Sequence, residues 1–352
     1  MKIHISTANI FLVWVFFCLI FFYFGFYFFP HSSRASANFL QNLANWDGQH
    51  YIGIAEFGYS EKFQYAFFPL YPLVIRAVTF FTKNYLISAL LISFFSTFLG
   101  VLVLNKLISL EFSYQKARET IIYLLIFPTA FFFLTAYSDG FFFLLVSLTF
   151  YFKRKQNLLM ASLVAALAAL TRVLGVALIM SLLIQIYLKQ GLNRKNWVIL
   201  LSPLGIIIYS IYLYIKTSDP FYFIAAQSHW ERALSLPSIS FWHSLNNISS
   251  SNLSTIDLNV LFNLLFAIFG VGMVLRSFRF VPSLYSIFGL VYILIPLTTS
   301  SLESFPRFLL PVFPIFILVT DFKKSVKIAY AIVSLVLLIY FSISYINGYW
   351  VS

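Results

Sequence analysis

The chain has 352 residues, of which 61% are hydrophobic and only 10% charged, with a mean hydropathy of +0.89 and a net charge of +12. Soluble domains carry about a quarter charged residues because a hydrated surface needs them, so a water-soluble globule is excluded. Nucleic-acid binding is set aside on the same ground, since in so apolar a chain the excess Lys and Arg marks loops held at an anionic membrane leaflet.

The first apolar run, 8–29, is long enough to span a bilayer with some tilt. It closes on Tyr27, Phe28, Phe29 and Pro30 rather than on the small residues of a cleavage site, and reads as a retained helix. It holds the one cysteine, Cys18, which leaves no intrachain disulfide to form. Further apolar runs lie at 85–105, 119–136, 139–152, 157–171, 173–188, 197–215, 259–275, 282–300, 307–320 and 326–347. The stretch 67–81 is also apolar but carries Pro69, Pro72 and Arg76, and Lys83 follows it. Read as an external juxtamembrane segment, it lets the basic loops alternate correctly. Lys106, Lys116 and Arg118, then Lys153, Arg154 and Lys155, then Lys189, Arg194 and Lys195, then Arg276 and Arg279, and last Lys323, Lys324 and Lys327 all fall on the cytoplasmic side.

The expected architecture is therefore an all-α polytopic membrane protein of about eleven transmembrane helices, N-terminus inside and C-terminus outside. Two sizeable external loops result, about 30–84 and 216–258. No linker, low-complexity tract or internal repeat divides the chain, so residues 1–352 read as a single transmembrane domain. A transporter of a lipid or lipid-linked sugar is the alternative to an enzyme. Such proteins place ionisable residues in mid-helix along a path, whereas here they cluster at helix ends and in outer loops.

The most chemically loaded segment is NWDGQHYIGIAEFGYS, 45–60. If it is helical, Asp47, His50 and Tyr51 share one face at i, i+3, i+4 spacing. A carboxylate beside an aromatic at the membrane rim suits a general base, and a helix cap or a solvated loop acid is the plainer explanation. The segment QYAFFPLYPLVIR, 64–76, is compatible with a proline-kinked apolar hairpin on the membrane or simply with a helix start shaped by proline.

WDGQHYIGIAEFGY followed by AFFPLYPLVIR resembles the signature of the PIG-V type GPI mannosyltransferases and their prokaryotic relatives, members of the GT-C superfamily of multi-pass glycosyltransferases. Four later segments resemble the family in the same order: FPTAFFFLTAYSDGFFFLL (127–145, with Asp139 where Glu is more usual), AALAALTRVLGVAL (165–178), SDPFYFIAAQSHWER (218–232) and PRFLLPVFPIF (306–316).

The resemblance implies a GT-C-like bundle that takes a sugar, mannose, from a polyprenyl-phosphate donor. The sugar passes to a hydroxyl of a lipid-linked or glycoconjugate acceptor on the outer or lumenal face. It implies inversion at the anomeric carbon with Asp47 as general base, and the charge-derived topology puts Asp47 outside. The departing phosphate needs cationic hydrogen-bond donors, for which Arg172, Arg232 and Arg307 are the candidates, with Gln227 and His229 assisting. Trp230 is placed to stack on a sugar ring. Asp139 orients the acceptor or joins Asp47 and His50 in holding a divalent cation, although turn chemistry alone also explains its Ser-Asp-Gly setting, and His50 is a further substrate-binding candidate. No tight multi-ligand motif is present, so no metal site or cofactor is assigned and a divalent cation stays open. The membrane is the plasma membrane of a prokaryote or the endoplasmic reticulum of a eukaryote.

Overall fold

The computed structural model describes residues 6–191, 196–250 and 257–351, without the side chains of Lys189, Gln190, Ser249 and Ser250. Arg194 and Lys195 of the third basic loop lie outside the described residues. Seventeen α-helices follow one another there. They are α1 (Thr7–Phe28), α2 (Phe39–Asn42), α3 (Asp47–Phe57), α4 (Leu70–Thr82), α5 (Tyr85–Glu111), α6 (Tyr114–Leu125), α7 (Asp139–Arg154), α8 (Leu158–Thr171) and α9 (Val176–Gln190). After these come α10 (Leu204–Thr217), α11 (Tyr222–Ala225), α12 (Pro237–Ser250), α13 (Leu258–Ser277), α14 (Ser283–Leu297), α15 (Phe305–Phe308), α16 (Phe313–Val319) and α17 (Lys324–Ile346). Extended pairing among the described residues is confined to one isolated antiparallel bridge, Leu234 with Thr299.

The protein is an integral membrane protein. By length and composition five segments can cross a bilayer: α1, α5, residues 197–217 ending in α10, α13 and α17. Shorter apolar helices are α4, α8, α14 and the segment 173–188 that includes most of α9. Polar caps start several of them. Ser6, Asn84, Ser113, Asn157 and Asp257 each accept a hydrogen bond from a backbone N–H of the first turn, satisfying donors that a helix cannot pair itself. Along α1 the rings of Phe16, Phe24 and Phe28 are exposed, as expected of a face turned to lipid.

Two runs read as single spans are broken. Residues 119–136 form α6 only as far as Leu125. The chain then runs irregularly through a 3₁₀ turn, Ala130–Leu134. Pro128 is the cause, since it lacks an N–H and clashes with the preceding turn. That buried, irregular backbone is tied down by hydrogen bonds: the Thr97 hydroxyl donates to Phe133 O at 3.0 Å, and the Ala136 N–H to Leu43 O at 2.9 Å. Residues 307–320 divide into α15 and α16 around Pro311. The stretch 67–81 becomes one helix, α4, that starts behind Pro69 and carries Pro72 in its first turn, so proline here shapes a helix start.

The chain divides into two units, residues 1–58, 71–155 and 316–351, and residues 59–70 and 156–315. In the first, α5 and α7 pack through small residues, which let membrane helices approach closely. A Cβ on Gly100 would stand 2.7 Å from the Phe143 ring, and one on Gly140 would collide with Thr97 Oγ1. α1 packs on α17 at Gly25, where a Cβ would lie 2.8 Å from Ile346. One end of this unit is ionic: Lys116 pairs with Asp321 at 2.7 Å, Arg154 with Glu111 at 2.7 Å and Lys327 with Glu119 at 3.2 Å. α7 runs from that end, at Arg154, to Asp139 at the other.

In the second unit α10 crosses α8 at Gly205, whose missing side chain leaves room for the Ala166 carbonyl. Tyr209 donates to Tyr65 O at 2.7 Å and Tyr59 to Phe67 O at 2.7 Å, which staples the loop 59–70 to α10 among the rings of Phe68, Tyr212 and Phe223.

Candidate functional site

The stretch holding Asp47 is helical, the condition on which Asp47, His50 and Tyr51 share a face. Asp47 opens α3, half-buried, with His50 and Tyr51 one turn on. The loop before it is clamped from two sides. Tyr137 donates its hydroxyl to Asn45 O at 2.9 Å, and Asn45 Nδ2 donates to Tyr345 O at 2.9 Å. Gly48 is buried with the Ala136 carbonyl so near that a Cβ would stand 3.3 Å from it. The hydroxyls of Tyr51 and Ser138 meet at 2.9 Å, and Asp139 follows Ser138.

Asp139 is 1% exposed and sits in the first turn of α7, where the unpaired N–H groups of a helix start favour a carboxylate. Below it Tyr71 shares a hydrogen bond with Ser93 at 3.0 Å, and Ser93 donates to Tyr137 O at 3.1 Å. The segments that carry the two carboxylates are thus locked together within the first unit. Among the described residues no group of three or more His, Cys, Asp or Glu side chains could hold a metal ion. Asp47, His50 and Asp139 are thus not gathered into such a group.

The other candidates belong to the second unit. Arg172 leaves the end of α8 in extended conformation and is half-buried. Arg232 follows the left-handed Glu231 and is held by a zipper between 231–235 and 298–303. Ser235 N–H donates to Thr298 O at 2.9 Å, Ser300 N–H to Ala233 O at 2.9 Å, and Arg232 itself to Glu303 O at 2.9 Å. Arg307 lies in α15 and is 7% exposed.

All three guanidinium groups address one ring. Arg172 lies 5.9 Å, Arg232 5.9 Å and Arg307 5.8 Å from the centre of Phe308, so no two can be further apart than twice that radius. Each separation falls within the range of cation–π attraction. Planar guanidinium groups recognise an anion with several acceptor oxygens better than other side chains do.

His229 stacks on Phe63 with ring centres 4.1 Å apart, and Trp230 meets Phe63 and Phe67 edge-on at 5.7 and 5.6 Å. The backbone carbonyl of Gln227 accepts from the Arg232 N–H at 3.3 Å. Gln227, His229 and Trp230 therefore belong to the turn that delivers Arg232. Phe308 and Phe63, the two rings that organise this side, carry no sequence signal of their own among 44 phenylalanines. Tyr51 had been placed on the face of Asp47, but its partner Ser138 had not.

The sequence matches no protein-family model and no curated protein. The structure is similar to that of ArnT from Cupriavidus metallidurans bound to undecaprenyl phosphate, with a TM-score of 0.54, 16% identity and coverage of 91% of this chain and 61% of ArnT. It is also similar to the Archaeoglobus fulgidus oligosaccharyltransferase tethered with an acceptor peptide, with a TM-score of 0.47, 10% identity and coverage of 96% of this chain and 55% of the other. The chain spans about three fifths of the length of the first. Its fold is a GT-C-like bundle of membrane helices.

Proposed function

We propose that the protein is a glycosyltransferase that moves a sugar, mannose, from a polyprenyl-phosphate carrier to a hydroxyl of a lipid-linked or glycoconjugate acceptor. The observation that carries this is the convergence of Arg172, Arg232 and Arg307 on Phe308 in a chain of GT-C-like fold. Three planar cations around an apolar ring suit a phosphate attached to a hydrocarbon tail, and ArnT was solved with such a lipid. The carboxylate end of the first unit lies opposite its ionic end. With basic loops held inside, Asp47 faces the outer or lumenal side of a plasma or endoplasmic reticulum membrane.

In this scheme the acceptor oxygen attacks the anomeric carbon while Asp47 takes its proton. The bond from that carbon to the phosphate oxygen breaks with its electron pair, and polyprenyl phosphate leaves as an anion from the opposite face, so configuration inverts. The three arginines meet the charge developing on the phosphate. Asp139 and His50 orient the acceptor, Gln227 and His229 support the turn that holds Arg232, and Trp230 offers a face to the sugar.

The test is transfer of radiolabelled mannose from polyprenyl-phosphate mannose to a lipid extract, by the purified wild type and by Asp47→Asn. Transfer by the wild type, with a loss of at least about 100-fold in the variant, is expected. Transfer at the wild-type rate by Asp47→Asn would remove Asp47 from the chemistry. Uptake of the lipid-linked sugar into proteoliposomes with no transferred product would make the protein a transporter.

A further inference from the structure

Trp46, the residue immediately before Asp47, has a backbone that tryptophan rarely adopts, φ 60° and ψ −120°. A non-glycine residue at positive φ persists only where its surroundings hold it there. Here the surroundings are specific. The guanidinium of Arg34 lies 4.6 Å over the Trp46 ring, and the ring of Trp350 meets it at 4.8 Å and 83°.

Neither partner is local. Arg34 is on the segment leaving α1 and Trp350 on the segment leaving α17, and those two segments are bonded to each other. Asn347 Nδ2 donates to Gly25 O at 2.9 Å, and the Ser32 N–H donates to Asn347 O at 2.9 Å. Gly348, at φ 75°, turns the chain where a Cβ would press on Ser32 at 2.6 Å. The crossing of α1 and α17 therefore ends in a vice whose jaws are Arg34 and Trp350 and whose workpiece is Trp46.

We propose that Arg34 and Trp350 are positioning residues for Asp47. By gripping the Trp46 ring they keep its strained backbone in place, and that backbone sets the direction in which α3 starts and Asp47 is presented. The inference rests on Asp47 being the base of the proposed transfer, and it concerns two residues that touch neither proton nor sugar. A reacting group displaced by about 1 Å loses on the order of 100-fold in rate, so the grip is felt in turnover and not in donor binding.

The experiment uses the full chain in detergent and compares Trp350→Ala, Trp350→Phe and Arg34→Met with wild type. Mannosyl transfer gives kcat and the donor KM, and amide hydrogen exchange is read over 43–51. The expected result for Trp350→Ala is a kcat about 10- to 100-fold lower at unchanged KM, with faster exchange in 43–51 and unchanged exchange in α5 and α7. Trp350→Phe, which restores a ring, recovers most of both. Arg34→Met lies between. Wild-type kcat and wild-type exchange in Trp350→Ala would overturn the proposal, and so would a loss of exchange protection spread over the whole unit. If the wild type itself transfers no sugar, the transferase reading falls. The exchange measurement then decides the vice alone: faster exchange confined to 43–51 upholds it, and unchanged exchange rejects it.

Discussion

The hydroxyl of Tyr51 lies 2.9 Å from that of Ser138, so the helix that opens at Asp47 is bonded, one turn on, to the residue that precedes Asp139. Two carboxylates from segments about 90 residues apart are thereby linked through a pair of hydroxyls, both buried. Removing one hydroxyl leaves the other without its partner in a dry place, which costs more than an average hydrogen bond contributes. Tyr51→Phe is expected to lower stability by about 1–3 kcal/mol and to reduce sugar transfer while donor binding stays intact. Thermal unfolding in detergent, set beside transfer kinetics, checks both.

The arginine trio makes a prediction about binding. Replacing Arg172 by Met removes one of the three guanidinium groups around Phe308. The variant's affinity for undecaprenyl phosphate should fall by about 10-fold or more, the cost of a charge-assisted hydrogen bond. Arg172→Lys keeps the charge without the planar fork and should recover only part of the loss. A titration of undecaprenyl phosphate followed by tryptophan fluorescence reads this directly, and undiminished affinity in Arg172→Met would count against the phosphate role.

Gly140 and Gly53 form a matched pair. A methyl group on Gly140 would collide with Thr97 Oγ1 and stand 2.9 Å from Ser93 O, whereas one on Gly53 meets nothing within 4 Å. Gly140→Ala should destabilise by about 1–3 kcal/mol through overpacking of α5 against α7. Gly53→Ala, in the middle of α3, should stabilise by about 0.5–1 kcal/mol through its helix propensity. Melting temperatures that move in the same direction for both would contradict the close α5–α7 contact.

At the ionic end, Lys116 and Asp321 are partly solvated, with side-chain exposures of 19% and 40%. A pair so placed contributes about 0.2–1 kcal/mol, less in high salt. Lys116→Asp should destabilise by joining two carboxylates, and the exchanged pair Lys116→Asp with Asp321→Lys should recover most of the loss. A double-mutant cycle at two salt concentrations measures it.

Sequence patterning disclosed the membrane class and the positions of most helices, because hydropathy and helical periodicity are local properties, whereas the face of Asp47, His50 and Tyr51 depended on a helix that the sequence left conditional. It failed where one proline outweighed many apolar neighbours. Pro128 ends α6 early and Pro311 splits 307–320, and both breaks fall inside runs whose hydropathy alone reads as continuous. The arginines stood out as charges in an apolar chain. Their common ring, Phe308, did not, since the meeting depends on the Leu234–Thr299 bridge and the turns beside it, which no local pattern encodes. Trp350 was invisible for the same reason: it contacts Trp46 across 304 positions of chain.

That separation bears on how the protein is made. The bond from Asn347 to the Gly25 carbonyl closes a loop of 322 residues, so α1 has to wait in the bilayer while everything between is translated and inserted. At about 5–20 residues per second the wait is roughly a quarter of a minute to a minute. Throughout it the loop before Asp47 lacks Tyr345 and Trp350, which reach it only after α17 is made. The carboxylate end of the first unit thus cannot mature before α17 is made, and a nascent chain stalled before α17 would carry Asp47 without the frame that presents it.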